Sequence, residues 1–169
     1  MQEILVDKEG YKQFFCELER LKELSLTSAS VGSEAYKDAI GDGWHDNFAF
    51  EDSIRESRAI ASKIDTMLNE QPYLKIVDDA DFGEKYINIG DTIKVLVKYD
   101  TDDIEEYTLK LTGKYLPDYD ANIQEISLNS PLGKTLYLKK SDDELYYDVN
   151  GKIVKIEVLE LCKNNNLAK

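Results

Sequence analysis

The sequence predicts an α+β fold: an N-terminal antiparallel helical hairpin over residues 1–73, then a small strand-rich domain over residues 84–161. Three observations carry this. Residues 1–70 hold no proline and contain two runs of apolar and small residues spaced in steps of four and three. From residue 84 the period drops to two. Between them, Pro72 and the acidic stretch from Val77 to Glu84 mark residues 74–83 as a linker. A four–three repeat keeps one stripe of a helix against a neighbour, whereas a period of two sends successive side chains to opposite faces of a strand.

The first helical run is Phe14, Leu18, Leu21, Ser25, Ser28, Gly32, Ala35 and Ala39. Asp7 stands before it, where a carboxylate can accept from the first free amides. After Leu21 the seam turns from large to small residues, and Gly32 weakens helix by about 1 kcal/mol relative to Ala. Closer but looser packing is expected there. The second run is Phe50, Ile54, Ser57, Ala61, Ile64 and Leu68. Gly41-Asp42-Gly43-Trp44-His45-Asp46-Asn47 joins the two, so residues 41–47 form the hairpin tip. Arms of ~30 residues at ~1.5 Å per residue reach roughly 45 Å.

In the second half, Ile93, Val95, Val97 and Tyr99 share one strand face, opposite Thr92, Lys94, Leu96 and Lys98. Tyr107, Leu109 and Leu111 repeat the pattern after an acidic turn. Asn150-Gly151 predicts a hairpin, because a type I′ turn needs positive φ at both central residues. Ser130-Pro131 predicts a helix N-cap followed by proline at the first helical position. Residues 162–169 are expected to be a frayed polar tail.

The 169 residues fit one domain or two small ones. With 34 acids against 21 bases the net charge is −13, which excludes a protein that wraps duplex nucleic acid by itself. Eleven tyrosines among 10% aromatics are enough to build a core. Cys16, Cys162 and a single histidine are too few for a zinc site or disulfide framework, so both thiols are expected to be reduced and structural. No apolar run approaches the ~18 residues of a membrane span, and the start lacks a signal-peptide pattern. A cytoplasmic location without membrane contact is expected.

The tip carries the chemistry. Asp42 and Asp46 flank a turn at the end of a long arm, and two carboxylates can share a hard cation such as magnesium. Alone they would hold it weakly, so a partner must supply further ligands. Trp44 is the better candidate for partner contact, while Phe50 begins the second seam. His45 reads as a polar turn residue, with no second histidine to support metal binding.

At this point the sequence resembles the GreA/GreB family of bacterial transcript cleavage factors over about residues 5–161. The family's tip pattern, GD-x-x-E-N-A-E-Y, corresponds here to Gly41-Asp42-Gly43-Trp44-His45-Asp46-Asn47-Phe48-Ala49-Phe50. The tip has one extra residue between its acids, Asp in place of Glu, and Phe-Ala-Phe in place of Ala-Glu-Tyr. Ile89-Gly90-Asp91-Thr92-Ile93, Tyr107-Thr108-Leu109 and Ile126-Ser127-Leu128-Asn129-Ser130-Pro131-Leu132-Gly133-Lys134 resemble the family's FKBP-like domain, with Leu138 where a glycine is common.

The resemblance implies a cofactor of RNA polymerase, not itself an enzyme. Its C-terminal domain would bind the polymerase through Asn129, Ser130 and Pro131, and its hairpin would enter the secondary channel. Asp42 and Asp46 would help hold a catalytic magnesium shared with the polymerase, with none bound by the protein alone. Trp44, His45 and Asn47 would make tip contacts near the nascent RNA 3′ end, and the protein would be a monomer. A bulky charged residue at Ser130 is expected to weaken docking and leave the unfolding midpoint nearly unchanged. Two alternatives stay open: a channel-occupying regulator without cleavage activity, and a prolyl isomerase or chaperone using Tyr107, Tyr137, Tyr146 and Tyr147.

Overall fold

The computed structural model describes residues 2–39, 48–77, 83–99, 103–149 and 151–164, and of these the side chains of 29–39, 48–50 and 149 are outside the description. The chain divides into two units: Phe14–Tyr73, and Met1–Gln13 together with Leu74–Lys169.

The first unit is the helical hairpin. Helix α1 spans Lys8–Ala39 and α2 spans Phe48–Glu70, followed by a 3₁₀ turn over Gln71–Tyr73. Two polar contacts fix the helices as antiparallel neighbours. Lys63 Nζ donates to Glu17 Oε1 at 2.8 Å, and the Ser28 and Ser57 hydroxyls lie 2.7 Å apart. Both serines are seam positions of the sequence pattern. On α1 the large seam residues Phe14, Leu18 and Leu21 are buried, as expected. On α2 the seam is shifted. Ile60 and Met67 are buried, whereas Ala61 and Leu68 are exposed. The heptad pattern admits either neighbour of Ser57 and Ile64 at the next position, and the larger apolar area of Ile60 and Met67 decides which face turns inward.

The second unit centres on a five-stranded sheet in the order β5-β4-β3-β7-β6. Its strands are β3 Thr92–Lys98, β4 Ile104–Thr112, β5 Gln124–Ser127, β6 Leu145–Val149 and β7 Lys152–Cys162. Strand β5 runs parallel to β4, and the other neighbours are antiparallel. A six-residue helix, α3 (Pro131–Leu136), follows β5. Alternation holds in β3: Ile93, Val95 and Val97 are buried and the residues between them are half-buried. Leu111, Leu128, Leu136 and Ile156 complete the core with them. The opposite face is laddered by Lys94–Glu106 and Lys98–Glu157 ion pairs. Val149 pairs with Lys152 and Gly151 has φ 84°, as a two-residue hairpin loop requires; Asn150 lies outside the described residues.

Several expectations are corrected. Residues 1–73 are not all hairpin and residues 74–83 are not all linker. Ile4–Val6 forms β1 and Leu74–Ile76 forms β2, paired in parallel with Ile4 opposite Leu74. Three-residue strands separated by some seventy residues leave no local periodicity to read. The start of α1 is also bound to the sheet unit. Asp7 caps it as expected, with Oδ1 accepting from Gly10 N at 2.6 Å, while Asp7 N donates to the Gly113 carbonyl at 3.0 Å. A Cβ on Gly10 would come within 2.1 Å of that carbonyl oxygen, so only glycine fits. Lastly, the polar tail is anchored at its beginning. The buried Asp91 carboxylate accepts from Lys163 Nζ at 2.9 Å and from Asn164 N at 3.0 Å. Both cysteines are free, but exposed instead of packed.

Candidate functional site

Asp42, Trp44, His45, Asp46 and Asn47 lie outside the described residues, so the tip is known through its sequence and its flanking helices. Among the described residues no group of three or more His, Cys, Asp or Glu side chains is placed to hold a metal ion. Residues 41–47 offer two carboxylates, hard oxygen ligands of the kind magnesium takes, besides the His45 imidazole and the Asn47 carboxamide.

The other predicted site is the turn before α3. Ser130 is its N-cap, with extended backbone (φ −67°, ψ 155°). Its hydroxyl accepts from Gly133 N at 3.0 Å and donates to the Ser127 carbonyl at 2.8 Å. Replacing such a cap costs about 0.5–2 kcal/mol, so the expectation of an unchanged unfolding midpoint for a Ser130 variant does not hold. Pro131 occupies the first helical turn, where it loses no hydrogen bond, and it is exposed. A Cβ at Gly133 would meet the Ser127 carbonyl oxygen at 2.0 Å, which keeps α3 close against the end of β5.

Asn129 has a task that the sequence does not announce. Its Oδ1 accepts from Leu5 N at 2.8 Å and its Nδ2 donates to the Leu5 carbonyl at 2.7 Å. The carboxamide thus acts as one more strand beside β1, and both its hydrogen-bonding ends are used inside the unit. Ser130, Pro131 and Leu132 remain as the turn's outward elements.

Beside this turn the sheet's inner face opens into a cleft of about 420 Å³. Helix α3 has six residues, roughly 9 Å of helix, while five strands at ~4.8 Å spacing span roughly 19 Å. It cannot cover the whole face. Tyr99, Tyr107, Tyr119 and Tyr147 line the uncovered part, with Pro131 and Leu132 on the turn side. Of the four tyrosines expected in a pocket, Tyr107 and Tyr147 line it. Tyr146 and Tyr137 do not: Tyr146 falls one step off on β6 and is exposed, and Tyr137 is the C-cap of α3. Tyr99 was legible as an inward strand residue, whereas Tyr119 sits in irregular chain that no period marks.

Tyr107 Oη donates to the Glu105 carboxylate. That bond, then the neighbouring Tyr99 hydroxyl, holds the Tyr107 phenol well above its usual range. Burial, reinforced by Tyr99 and Glu105, pushes Tyr147 up to about 12. The Tyr107 and Tyr147 rings are therefore neutral at physiological pH. Glu125, on the wall, is held below the ordinary carboxylate range. Burial alone would raise it, but the Asp118 N–H at 3.0 Å and the Lys114 ammonium at 2.9 Å outweigh that.

Together these features define an α+β protein with a helical hairpin and an FKBP-like sheet unit that presents a capped turn beside a tyrosine-lined cleft. Residues 83–162 match the sequence model of the family described as "Transcription elongation factor, GreA/GreB, C-term". It is 29% identical over 160 residues to transcription elongation factor GreA of Thermoanaerobacter pseudethanolicus, covering 95% of this chain and 98% of that one. Identity to the GreA of Acetivibrio thermocellus is 26% over 163 residues, covering 96% and 98%. Among solved structures, GreA factor homolog 1 (Gfh1) of Thermus thermophilus aligns over 96% of this chain and all of that one, at 20% identity and a TM-score of 0.42.

Proposed function

We propose that this chain is a GreA/GreB-type transcription elongation factor that binds RNA polymerase through the Ser130–Pro131 turn and its cleft. In this reading it places the hairpin tip in the secondary channel and stimulates the polymerase's own cleavage of backtracked RNA. The observation that carries it is the joint presence of both working parts. One is an antiparallel helix pair whose connecting sequence holds Asp42 and Asp46. The other is a family-type sheet unit with an exposed Pro131 at a capped turn.

Asp42 and Asp46 would hold a magnesium ion jointly with the polymerase. When bound, that ion stabilises charge on the reacting phosphate and activates water. This chain's contribution is two carboxylates delivered at the end of a helix pair whose arms, 32 and 23 residues, run to roughly 48 and 35 Å. The acidic hairpin, with 15 acids and 8 bases over residues 1–70, does not itself seek RNA phosphate.

The test is RNA cleavage in a purified backtracked elongation complex, with and without the protein. Faster shortening of the RNA 3′ end supports the reading. One specific observation favours a second reading, a channel-occupying regulator: the tip holds Gly43-Trp44-His45 between its acids and lacks the family's Glu and Tyr after Asn47. Slower elongation with no added cleavage would select that reading.

A further inference from the structure

We infer that the tyrosine-lined cleft of the sheet unit is a receptor for an arginine side chain presented by a protein partner, with an adjoining apolar residue seated against Pro131 and Leu132. The inference deepens the docking proposal and rests on it for the partner being the polymerase; the cleft's chemistry stands by itself.

The argument begins with what the cleft can still offer. A tyrosine-lined groove usually binds an extended proline-rich segment by donating hydroxyl hydrogen bonds to its carbonyls. Here Tyr107 already spends its hydroxyl proton on Glu105. Besides the Tyr119 hydroxyl and the Gln124 carboxamide, the cleft offers aromatic ring face and carboxylate. Aromatic faces attract cations through their quadrupole. Glu105 and Asp148 stand at this cleft, one bonded to Tyr107 and the other in the wall, and both are exposed. Neither forms an ion pair among the described residues; Asp148 accepts only the Gly151 amide at 2.8 Å. No Lys, Arg or His is among the described residues that line the cleft. Glu125, the third carboxylate, is already neutralised by Lys114 and Lys110 and contributes shape.

Rings and uncompensated carboxylates together select a cation. Arginine suits them better than lysine, because its planar guanidinium stacks on aromatic rings, bonds carboxylates in a bidentate fork and is weakly hydrated. The volume, about 420 Å³, exceeds one side chain, so part of the neighbouring residue enters too. The apolar rim at Pro131 and Leu132 sets its character.

The test uses the full chain and three small probes: acetyl-Leu-Arg-amide, its neutral isostere acetyl-Leu-citrulline-amide, and acetyl-Leu-Pro-amide. Backbone amide shifts are followed by heteronuclear NMR up to ~10 mM probe, enough to reveal a millimolar Kd. Saturable shifts at Tyr99, Tyr107, Ile126 and Leu132 are expected with the arginine probe, and about tenfold weaker binding with citrulline. The double variant Glu105→Gln/Asp148→Asn, at two exposed positions, should lose about tenfold in arginine-probe affinity and bind polymerase correspondingly less. Equal binding of arginine and citrulline, preference for the proline probe, or no shifts in the cleft would overturn the inference. If wild type and variant bind polymerase equally, the inference falls while the docking proposal stands. If the arginine probe fills the cleft but the wild type does not bind polymerase, the docking proposal falls and the inference stands.

Discussion

The two units are held together by different kinds of force. In the sheet unit, Ile93, Val95, Val97, Leu111 and Ile156 are fully buried in one contiguous core. In the hairpin, apolar burial is confined to Phe14, Leu18 and Leu21 on α1 and Ile60 and Met67 on α2 among the described residues. Toward the tip the partners become polar: Ser28 faces Ser57. A neutral hydrogen bond of this sort contributes about 1 kcal/mol, against roughly 1.5–3 kcal/mol for each large apolar side chain withdrawn from water. Rigidity is therefore concentrated where docking is proposed. Along the described part of the hairpin, the seam passes from large apolar side chains to the Ser28–Ser57 pair.

The largest effect that would break this contrast is in the core. Leu111→Ala removes a fully buried side chain from a central strand and should cost about 2–5 kcal/mol in denaturant unfolding. Ser57→Ala in the hairpin should cost about 1 kcal/mol or less. Comparable losses at the two sites would mean that the hairpin is as firmly packed as the sheet. The next effect is catalytic. Asp42→Asn and Asp46→Asn keep shape and remove charge, and each should slow cleavage by about 10²-fold, roughly 2.7 kcal/mol of barrier. Polymerase binding should hardly change, and raised magnesium should partly restore the rate of each single variant. Loss of polymerase binding in parallel with cleavage would assign these acids to docking instead.

A smaller effect concerns acid. The Arg20 side chain 2.7 Å away, with Lys63, overcomes the burial that opposes ionisation and holds the Glu17 carboxyl at about 2. Its folded value lies below the ordinary one of about 4.5, so the stabilisation is complete at neutral pH and lost as pH falls from about 4.5 to 2. Arg20 and Lys63 are 58% and 51% exposed, which limits the contribution to about 1–2 kcal/mol. Protection factors of α1 amides, corrected for the intrinsic pH dependence of exchange, should fall over that window, and Glu17→Gln should remove the α1-specific part. An unchanged pH profile in the variant would show that the pair does not fasten the helices.

How much of this was legible in sequence follows from the range of the interactions. The Ser28 and Ser57 seam, the inward residues of β3, the Asp7 cap and the Ser130-Pro131 cap are set by neighbours within a few residues, and simple periods reveal them. The β1–β2 pairing, the Asn129 clamp on Leu5 and the Lys163 and Asn164 anchor on Asp91 span 70 to 124 positions and leave no periodic trace. Asn129 illustrates the consequence. Its motif resembles a docking loop, yet its carboxamide is spent on backbone that only the folded chain brings near. The Ile60/Ala61 and Met67/Leu68 choices were ambiguous for a different reason: adjacent residues on one helix face satisfy the same repeat.

The smallest effect is expected at Leu138, where sequence and backbone disagree. Leu138 has φ 60°, the left-handed conformation, and its amide donates to the Ile87 carbonyl at 2.9 Å. A non-glycine residue there carries roughly 1–2 kcal/mol of strain, which accounts for the resemblance's preference for glycine at this place. Leu138→Gly relieves that strain. It also gives up part of the burial of a half-buried side chain and loosens the unfolded chain by about 0.5–1 kcal/mol. These contributions nearly cancel, so the unfolding free energy should move by no more than about 1 kcal/mol. Two residues earlier, Leu136 is helical and fully buried, and the same substitution should cost more than about 3 kcal/mol. Leu138→Val supplies the control: β-branching makes the left-handed region harder to reach, so it should destabilise more than glycine despite keeping apolar surface. Unfolding curves in which glycine is the worst of the three residues at position 138 would show that packing, and not backbone strain, governs this turn.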